Sequence, residues 1–214
     1  MAYLYLVLFA FAVTLHLCAS FKKDRRLRNA TKPVLLFSLL SFYINIAPNP
    51  SIYVILAIIL SWIGDLLLMA KGVCWFTAGG VFFLGSHVFF ILAYINQGNV
   101  FGNPWYIYAI FGSIFLFASI FVFVKMKPHL PKMLFYPMAS YLLVNGAMNC
   151  FAIFRFFAEI NHATSITVLG ALLFFISDAL LFFVRFNKNS KIKSHFTVML
   201  TYSIAELLIV VGLI

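Results

Sequence analysis

Apolar residues run in long blocks along this chain, and polar or helix-breaking residues separate the blocks. A helix needs about 17 to 25 apolar residues to cross a hydrocarbon core about 30 Å thick. The blocks predict eight membrane-spanning helices, at Tyr3–Ser20, Pro33–Ala47, Ile52–Ala70, Trp75–Asn96, Trp105–Val124, Met133–Phe156, Thr164–Val184 and Phe196–Ile214. The second block is the shortest, so the pattern leaves open whether that helix crosses fully, meets a thinned bilayer or is re-entrant.

Composition supports an integral membrane protein. The chain is 64% hydrophobic and 9% charged, whereas soluble domains are about a quarter charged. Its 27 Phe and 10 Tyr residues suit lipid-facing and interfacial surfaces. Connections between blocks are short and leave no room for a soluble domain. The sequence therefore predicts an all-α, polytopic protein in which residues 1–214 form a single transmembrane domain.

The basic residues predict how the helices are oriented. Fourteen of the 15 Lys and Arg residues follow the first, third, fifth or seventh block, and the exception is Arg155, near Glu159. The group after the seventh block is Arg185, Lys188, Lys191 and Lys193. Positive loops stay cytoplasmic, so both termini are expected on the non-cytoplasmic side. The net charge of +10 is then a topology signal that can contact anionic lipids, and no nucleic-acid partner is required. We expect a bacterial inner membrane, or an endomembrane if the chain is eukaryotic.

Two aspartates lie inside apolar blocks, Asp65 in SWIGDLLLM and Asp178 in SDALLF. An Asp at the centre of a membrane helix costs about 2.5–3.5 kcal/mol, and each Leu returns only about 0.3–0.6 kcal/mol. Asp65 is six residues before Lys71, and Asp178 is seven before Arg185. Both therefore lie about 9–10 Å inside the cytoplasmic boundary. No Lys or Arg lies within a predicted span at that depth, so a functional role is favoured over a structural ion pair.

Further polar residues share this region of the spans. Tyr141, Asn145 and Asn149 recur every four residues and so stack on one helix face, as Tyr202 and Glu206 do on theirs. His16 belongs to the layer of the two acids, and His87 lies deeper. We expect polar groups from at least five helices to converge on one cavity that opens toward the cytoplasm.

Each of these residues also has a simpler interpretation. Asn and Tyr side chains often form hydrogen bonds that hold membrane helices together, which would account for Tyr141, Asn145, Asn149 and Tyr202. His16 is close enough to the interface to be solvated. His87 could be neutral and bonded to a neighbouring helix.

Two acids in a low-dielectric site can divide their roles. One can hold a proton and act as a general acid, while the other stays ionised as a base or charge stabiliser, an arrangement that performs hydrolysis. In a proton-coupled transporter the same groups would carry protons, and a lipid-binding scaffold without turnover is a third possibility. The Asp-Leu-Leu run at 65–67 has an echo in Asp-Ala-Leu-Leu at 178–181, which suggests a parallel duplication. The broken helices typical of carriers are missing, which favours an enzyme.

Several motifs in fixed order resemble the YhhN family of membrane lysoplasmalogenases. They are Thr31-Lys32-Pro33, GDLLLM at 64–69, Gly80 with FLGSH at 83–87, GALLFFISDALL at 170–181, Arg185-Phe186, and Tyr202 with Ala205-Glu206. Glu206 stands where the family pattern has Gln. The resemblance implies hydrolysis of the vinyl ether bond of a lysoplasmalogen, which yields a fatty aldehyde and glycerophospho-ethanolamine or -choline. The implied partners are a lysophospholipid substrate and the bilayer.

Vinyl ether chemistry fits the two acids. The bond cleaves when the carbon beta to oxygen is protonated, and water then captures the oxocarbenium ion. Asp65 and Asp178 are the expected catalytic pair, in undetermined order, and His87 would orient water or a carboxylate. Lys32 would hold the phosphate at the interface. The other candidates for substrate binding are Tyr141, Asn145, Tyr202, Glu206 and His16. We expect no cofactor, and no zinc site, because spacings such as HxxxH are missing.

Overall fold

The computed structural model describes residues 2–187 and 195–214. Within these ranges the chain forms eight α-helices: α1 Ala2–Phe21, α2 Arg25–Ile46, α3 Ile52–Met69, α4 Val73–Gln97, α5 Trp105–Met126, α6 Phe135–Ala158, α7 His162–Phe186 and α8 His195–Val211. Two 3₁₀ turns, Lys127–His129 and Lys132–Leu134, connect α5 to α6. Lys188, Lys191 and Lys193, which contributed to the predicted orientation, lie outside the described residues.

Six of the described helices are long and apolar enough to cross a membrane: α1, α3, α4, α5, α6 and α7. Helix α8 is apolar but has 17 residues, and α2 carries basic residues in its first turns. Large apolar side chains cover the outside of the bundle; Phe117, for example, is 71% exposed. The protein is therefore a multi-pass, all-helical membrane protein. Eight crossings and the sides of the termini stay predictions.

Helix α2 differs from the prediction, because it begins at Arg25 and not at Pro33. Asp24 caps it, with Oδ1 accepting hydrogen bonds from the backbone N–H groups of Arg26 and Leu27 at 2.9 and 3.2 Å. The helix continues through Pro33 and spans 22 residues, or about 33 Å at about 1.5 Å per residue. Lys32 therefore lies in the third turn of a helix. The expectation that no basic residue reaches the depth of Asp65 was wrong for this reason.

The helices form a ring. Helices α2, α3, α4, α6, α7 and α8 each pack against the next, and α8 closes the ring on α2. Outside it, α1 packs on α2 and α8, and α5 packs on α6 and α7. Glycines allow two of the close approaches: Gly64 meets Gly79 between α3 and α4, and Gly170 meets the backbone of α8.

The packing repeats along the chain. Helices α1 to α4 correspond to α5 to α8 in their contacts. The pairs α1–α2, α2–α3 and α3–α4 match α5–α6, α6–α7 and α7–α8, and the contact of α4 with α6 matches that of α8 with α2. Asp65 and Asp178 lie on α3 and α7, which correspond in this repeat. The contact pattern thus agrees with the echo between the two Asp motifs.

Candidate active site

The ring of helices encloses a cavity at the end where α2, α4 and α6 begin. Its volume is about 420 Å³, within the range of about 300–1,000 Å³ usual for small-molecule sites. Most of its wall is apolar, with Leu68, Phe83, Phe182 and Met199 among the lining residues. The charged and tyrosine side chains of the wall come from five helices: Lys32, Asp65, Tyr136, Tyr141, Asp178 and Tyr202. We call this space the central cavity.

Asp65 is ion-paired. The Lys32 ammonium lies 2.9 Å from Oδ1 of Asp65, and the Tyr202 hydroxyl donates to Oδ2 at 2.9 Å. One turn earlier on α3, the Ser61 hydroxyl bonds the Ser86 hydroxyl of α4 at 2.8 Å. Both oxygens of the Asp65 carboxylate are therefore satisfied, and one partner is a cation.

Asp178 has neutral partners. Its Oδ2 accepts hydrogen bonds from the Tyr141 hydroxyl at 2.5 Å and from Nδ2 of Asn145 at 2.7 Å. Among the described residues, Oδ1 has no hydrogen-bond partner, and the carboxyl group lines the cavity. Asp178 thus directs one oxygen into the protein and leaves the other available to a molecule in the cavity.

His87 supports Asp178 from behind. Its Nδ1 donates to the Phe83 carbonyl oxygen at 2.5 Å, since a carbonyl can only accept. In the neutral ring the lone pair then lies on Nε2, which is 3.8 Å from Oδ2 of Asp178 and too far for a direct hydrogen bond. The rings of Tyr141 and Phe174 pack edge-on against the imidazole. His87 is fully buried and does not line the cavity.

A deeper polar layer lies beyond the cavity. Glu206 is one turn beyond Tyr202 and is fully buried; the hydroxyl groups of Ser61 and Tyr202 lie beside it, but within the described residues neither carboxyl oxygen has a partner at good hydrogen-bond geometry. Asn149 donates to the backbone and side-chain oxygens of Asn145 at 3.0 and 3.2 Å, and its own Oδ1 has no described partner. The Tyr94 hydroxyl is also buried and has no hydrogen-bond partner among the described residues. Buried polar groups of this kind usually bond ordered water.

The predicted site residues therefore fall into three groups. Lys32, Asp65, Tyr141, Asp178 and Tyr202 line the cavity, and Asn145 and His87 lie directly behind Asp178. Glu206 and His16 do not line it.

Two residues of the basic layer are less exposed than their place in the sequence suggests. His16 is buried, and its Nδ1 bonds the Thr31 hydroxyl of α2 at 2.9 Å, so it is not solvated at the interface. The Lys32 side chain is only 14% exposed and pairs with Asp65, and its expected contact with a phosphate stays a prediction.

Sequence reasoning missed the ion pair between Lys32 and Asp65, although a signal was present. Lys32 precedes Asp65 by 33 residues, and Asn145 precedes Asp178 by the same interval. One of the two side chains that contact each acid thus occupies an equivalent place in the two halves of the chain. It is a cation in the first half and a neutral amide in the second.

These features define a class: a polytopic membrane protein with two carboxyl groups on one intramembrane cavity, one ion-paired and the other not. The YhhN family profile matches residues 27–213, so the chain belongs to the YhhN family. The matched range includes all the described residues of α3 to α8 and nearly all of α2, and therefore nearly the whole ring. No curated protein and no solved structure shows significant similarity to the chain.

Proposed function

We propose that the protein is a lysoplasmalogenase-like hydrolase. It cleaves the vinyl ether bond of a lysoplasmalogen to release a fatty aldehyde and glycerophospho-ethanolamine or -choline. Membership of the YhhN family supports this class of reaction. The observation that carries the proposal is the unequal bonding of Asp65 and Asp178 on one cavity, because it leaves Asp178 free to donate a proton while Asp65 holds Lys32 in place.

Asp178 is the general acid in this proposal. Tyr141 and Asn145 both donate to Oδ2, so a proton on the carboxyl group is best accommodated on Oδ1, which is open to the cavity. This proton adds to the vinyl carbon beta to the ether oxygen, and the π electrons form the new C–H bond. The resulting oxocarbenium ion is balanced by the carboxylate left on Asp178.

Water completes the reaction. It attacks the carbon bonded to oxygen and returns a proton to Asp178, which gives a hemiacetal. The hemiacetal collapses as its hydroxyl loses a proton, the bond to the glycerol oxygen breaks, and that oxygen gains a proton. One water is consumed and Asp178 is restored. The buried imidazole of His87 lies 3.8 Å from Oδ2 and fills the space behind the carboxyl group.

Asp65 and Lys32 bind the head group. A lysine ammonium has three donors, and Asp65 takes one of them at 2.9 Å. The others are free to bind the phosphate of a lysolipid, while Asp65 keeps the lysine in place. Tyr202 fixes the opposite side of the Asp65 carboxylate.

We also propose that all eight helices cross the membrane, with both termini on the non-cytoplasmic side. The 22 residues of α2 are sufficient for a crossing once its basic first turns are counted. The central cavity then lies in the cytoplasmic half of the bilayer, beside the positive loops. A cysteine placed at either terminus and probed with an impermeant thiol reagent tests this orientation.

The decisive experiment is aldehyde release from lysoplasmalogen by purified protein. Asp178→Asn should reduce kcat by about 10²–10⁴-fold, the usual contribution of a general acid. Asp65→Asn should mainly raise KM, because it releases Lys32. Glu159→Gln is the matched control, since this acid is exposed at the opposite end of α6. Wild-type turnover in folded Asp178→Asn would refute the assignment of the acid, and equal cleavage of ester lysophospholipids would indicate a general lysophospholipase.

A proton-coupled transporter of a small solute is the second candidate. It is favoured by the deeper polar layer, in which Glu206, Asn149 and Tyr94 continue from the acids toward Arg155. Arg155 donates through Nη1 to the Thr167 hydroxyl and to the Gly212 carbonyl at the far end of the bundle. Proton flux into proteoliposomes that depends on an added solute, without release of aldehyde, would support this candidate over the hydrolase.

A further inference from the structure

The central cavity opens sideways, through the wall between α4 and the first turns of α6. Val81 of α4 lines the cavity and is 60% exposed, and Tyr136 of α6 lines it and is 85% exposed. Pro137 and Ser140 also line the cavity and are exposed. Residues that face both the cavity and the outer surface mark the place where these spaces meet. We call this gap, with Gly80 at its α4 edge, the lateral opening.

Gly80 keeps the lateral opening wide. A Cβ atom built on Gly80 would meet no atom within 4 Å. On the neighbouring Gly79, a Cβ would lie 3.0 Å from Leu68 and 3.1 Å from the Gly64 carbonyl oxygen. Gly79 therefore serves the packing of α3 on α4, whereas the space beside Gly80 is left open. A larger side chain at position 80 would project into that space.

The depth of the opening indicates what passes through it. Gly80 is seven residues from the start of α4 at Val73, or about 10 Å along the helix. A gap at this depth faces the hydrocarbon chains of the bilayer. Lys32 and Asp65 belong to α2 and α3, on another wall of the same cavity. An amphiphile with one apolar chain and an anionic head group fits this arrangement, because its chain can lie in the opening while its head group contacts Lys32.

We propose that the lateral opening admits the chain of a single-chain phospholipid directly from the bilayer, and that Gly80 limits the bulk of the chain that passes. The identity of the ligand as a lysolipid rests on the proposed function, but the inference concerns binding and does not depend on cleavage of a vinyl ether. By this route the lipid reaches Asp65 and Asp178 from the bilayer, and its apolar chain does not pass through water.

Gly80→Leu tests the inference, with Gly112→Leu as the matched control. Gly112 is on α5, outside the ring, and a Cβ there also meets no atom within 4 Å. Val81→Trp is a second variant, which narrows the opening from its outer rim. The assay is equilibrium binding of a lysophospholipid with a fluorescent group on its chain to purified protein in nanodiscs, after size-exclusion chromatography to confirm folding. Gly80→Leu and Val81→Trp should each weaken binding by about tenfold or more, and Gly112→Leu by less than about twofold.

Turnover gives an independent measurement. The ratio of kcat/KM for long-chain to short-chain substrate should fall by about tenfold in Gly80→Leu and stay unchanged in Gly112→Leu. Unchanged binding in folded Gly80→Leu and Val81→Trp would overturn the inference, as would an equal loss in Gly112→Leu. If wild-type protein binds the probe but releases no aldehyde, the proposed function fails while the inference about the opening stands.

Discussion

Replacing Lys32 with Met would leave the Asp65 carboxylate buried without its counter-ion. The two charged atoms are 2.9 Å apart, and the side chains are 14% and 3% exposed. At that separation and an effective dielectric constant of about 20, the gross attraction is about 6 kcal/mol. Desolvation of both ions offsets part of it, and removal of one partner of a buried pair usually costs about 3–5 kcal/mol. Because Tyr202 still bonds Asp65, we expect the lower end, about 3 kcal/mol.

Thermal unfolding in detergent measures this effect. A loss of about 3 kcal/mol corresponds to a Tm lowered by about 6–12 °C for a chain of this length. Asp65→Asn should be destabilising as well, and Lys32→Met combined with Asp65→Asn should recover about 2 kcal/mol relative to the sum of the single variants, within the range of coupled contacts. Additivity to within about 0.5 kcal/mol would show that the pair does not interact, and the assignment of Lys32 as the partner of Asp65 would be wrong.

Three further substitutions test contacts described above. Asn145→Leu removes one neutral donor from Oδ2 of Asp178, so we expect a loss of about 1–3 kcal/mol in unfolding free energy together with a lower kcat; unchanged kcat would separate Asn145 from catalysis. Gly79→Ala brings a methyl group 3.1 Å from the Gly64 carbonyl oxygen and should destabilise by about 1–3 kcal/mol. Gly80→Ala has open space and should be neutral or stabilising by up to about 1 kcal/mol; equal effects at the two glycines would contradict the packing described for α3 and α4.

The helices themselves were predictable, because long apolar blocks leave few alternatives in a membrane. The start of α2 was not, since a dense basic segment looks the same whether it forms a loop or the first turns of a helix. Asp24, the residue that caps this helix, was the local signal. Period-four spacing also placed Tyr141 and Asn145 on one helix face, and both contact Asp178.

Other features depend on tertiary packing. Lys22 and Lys32 are the same residue type in one basic segment, yet Lys22 is exposed whereas Lys32 pairs with Asp65. Gly79 and Gly80 are adjacent and identical in sequence, and the neighbours of each in space decide that one packs and the other leaves a gap. The tautomer that His87 adopts follows from the Phe83 carbonyl oxygen within hydrogen-bond reach. The residues adjacent in sequence do not determine any of these three features.

The equal interval of 33 residues before each acid has a chemical consequence. In a fully symmetric molecule both acids would have the same neighbour. With lysine in both halves, both carboxylates would be ion-paired. With asparagine in both, both carboxyl groups would have neutral partners. The exchange of a cation for an amide helps to break that equivalence, and it gives a twofold-like scaffold one polarity, from an ion-paired carboxylate on α3 to a carboxyl group with neutral partners on α7.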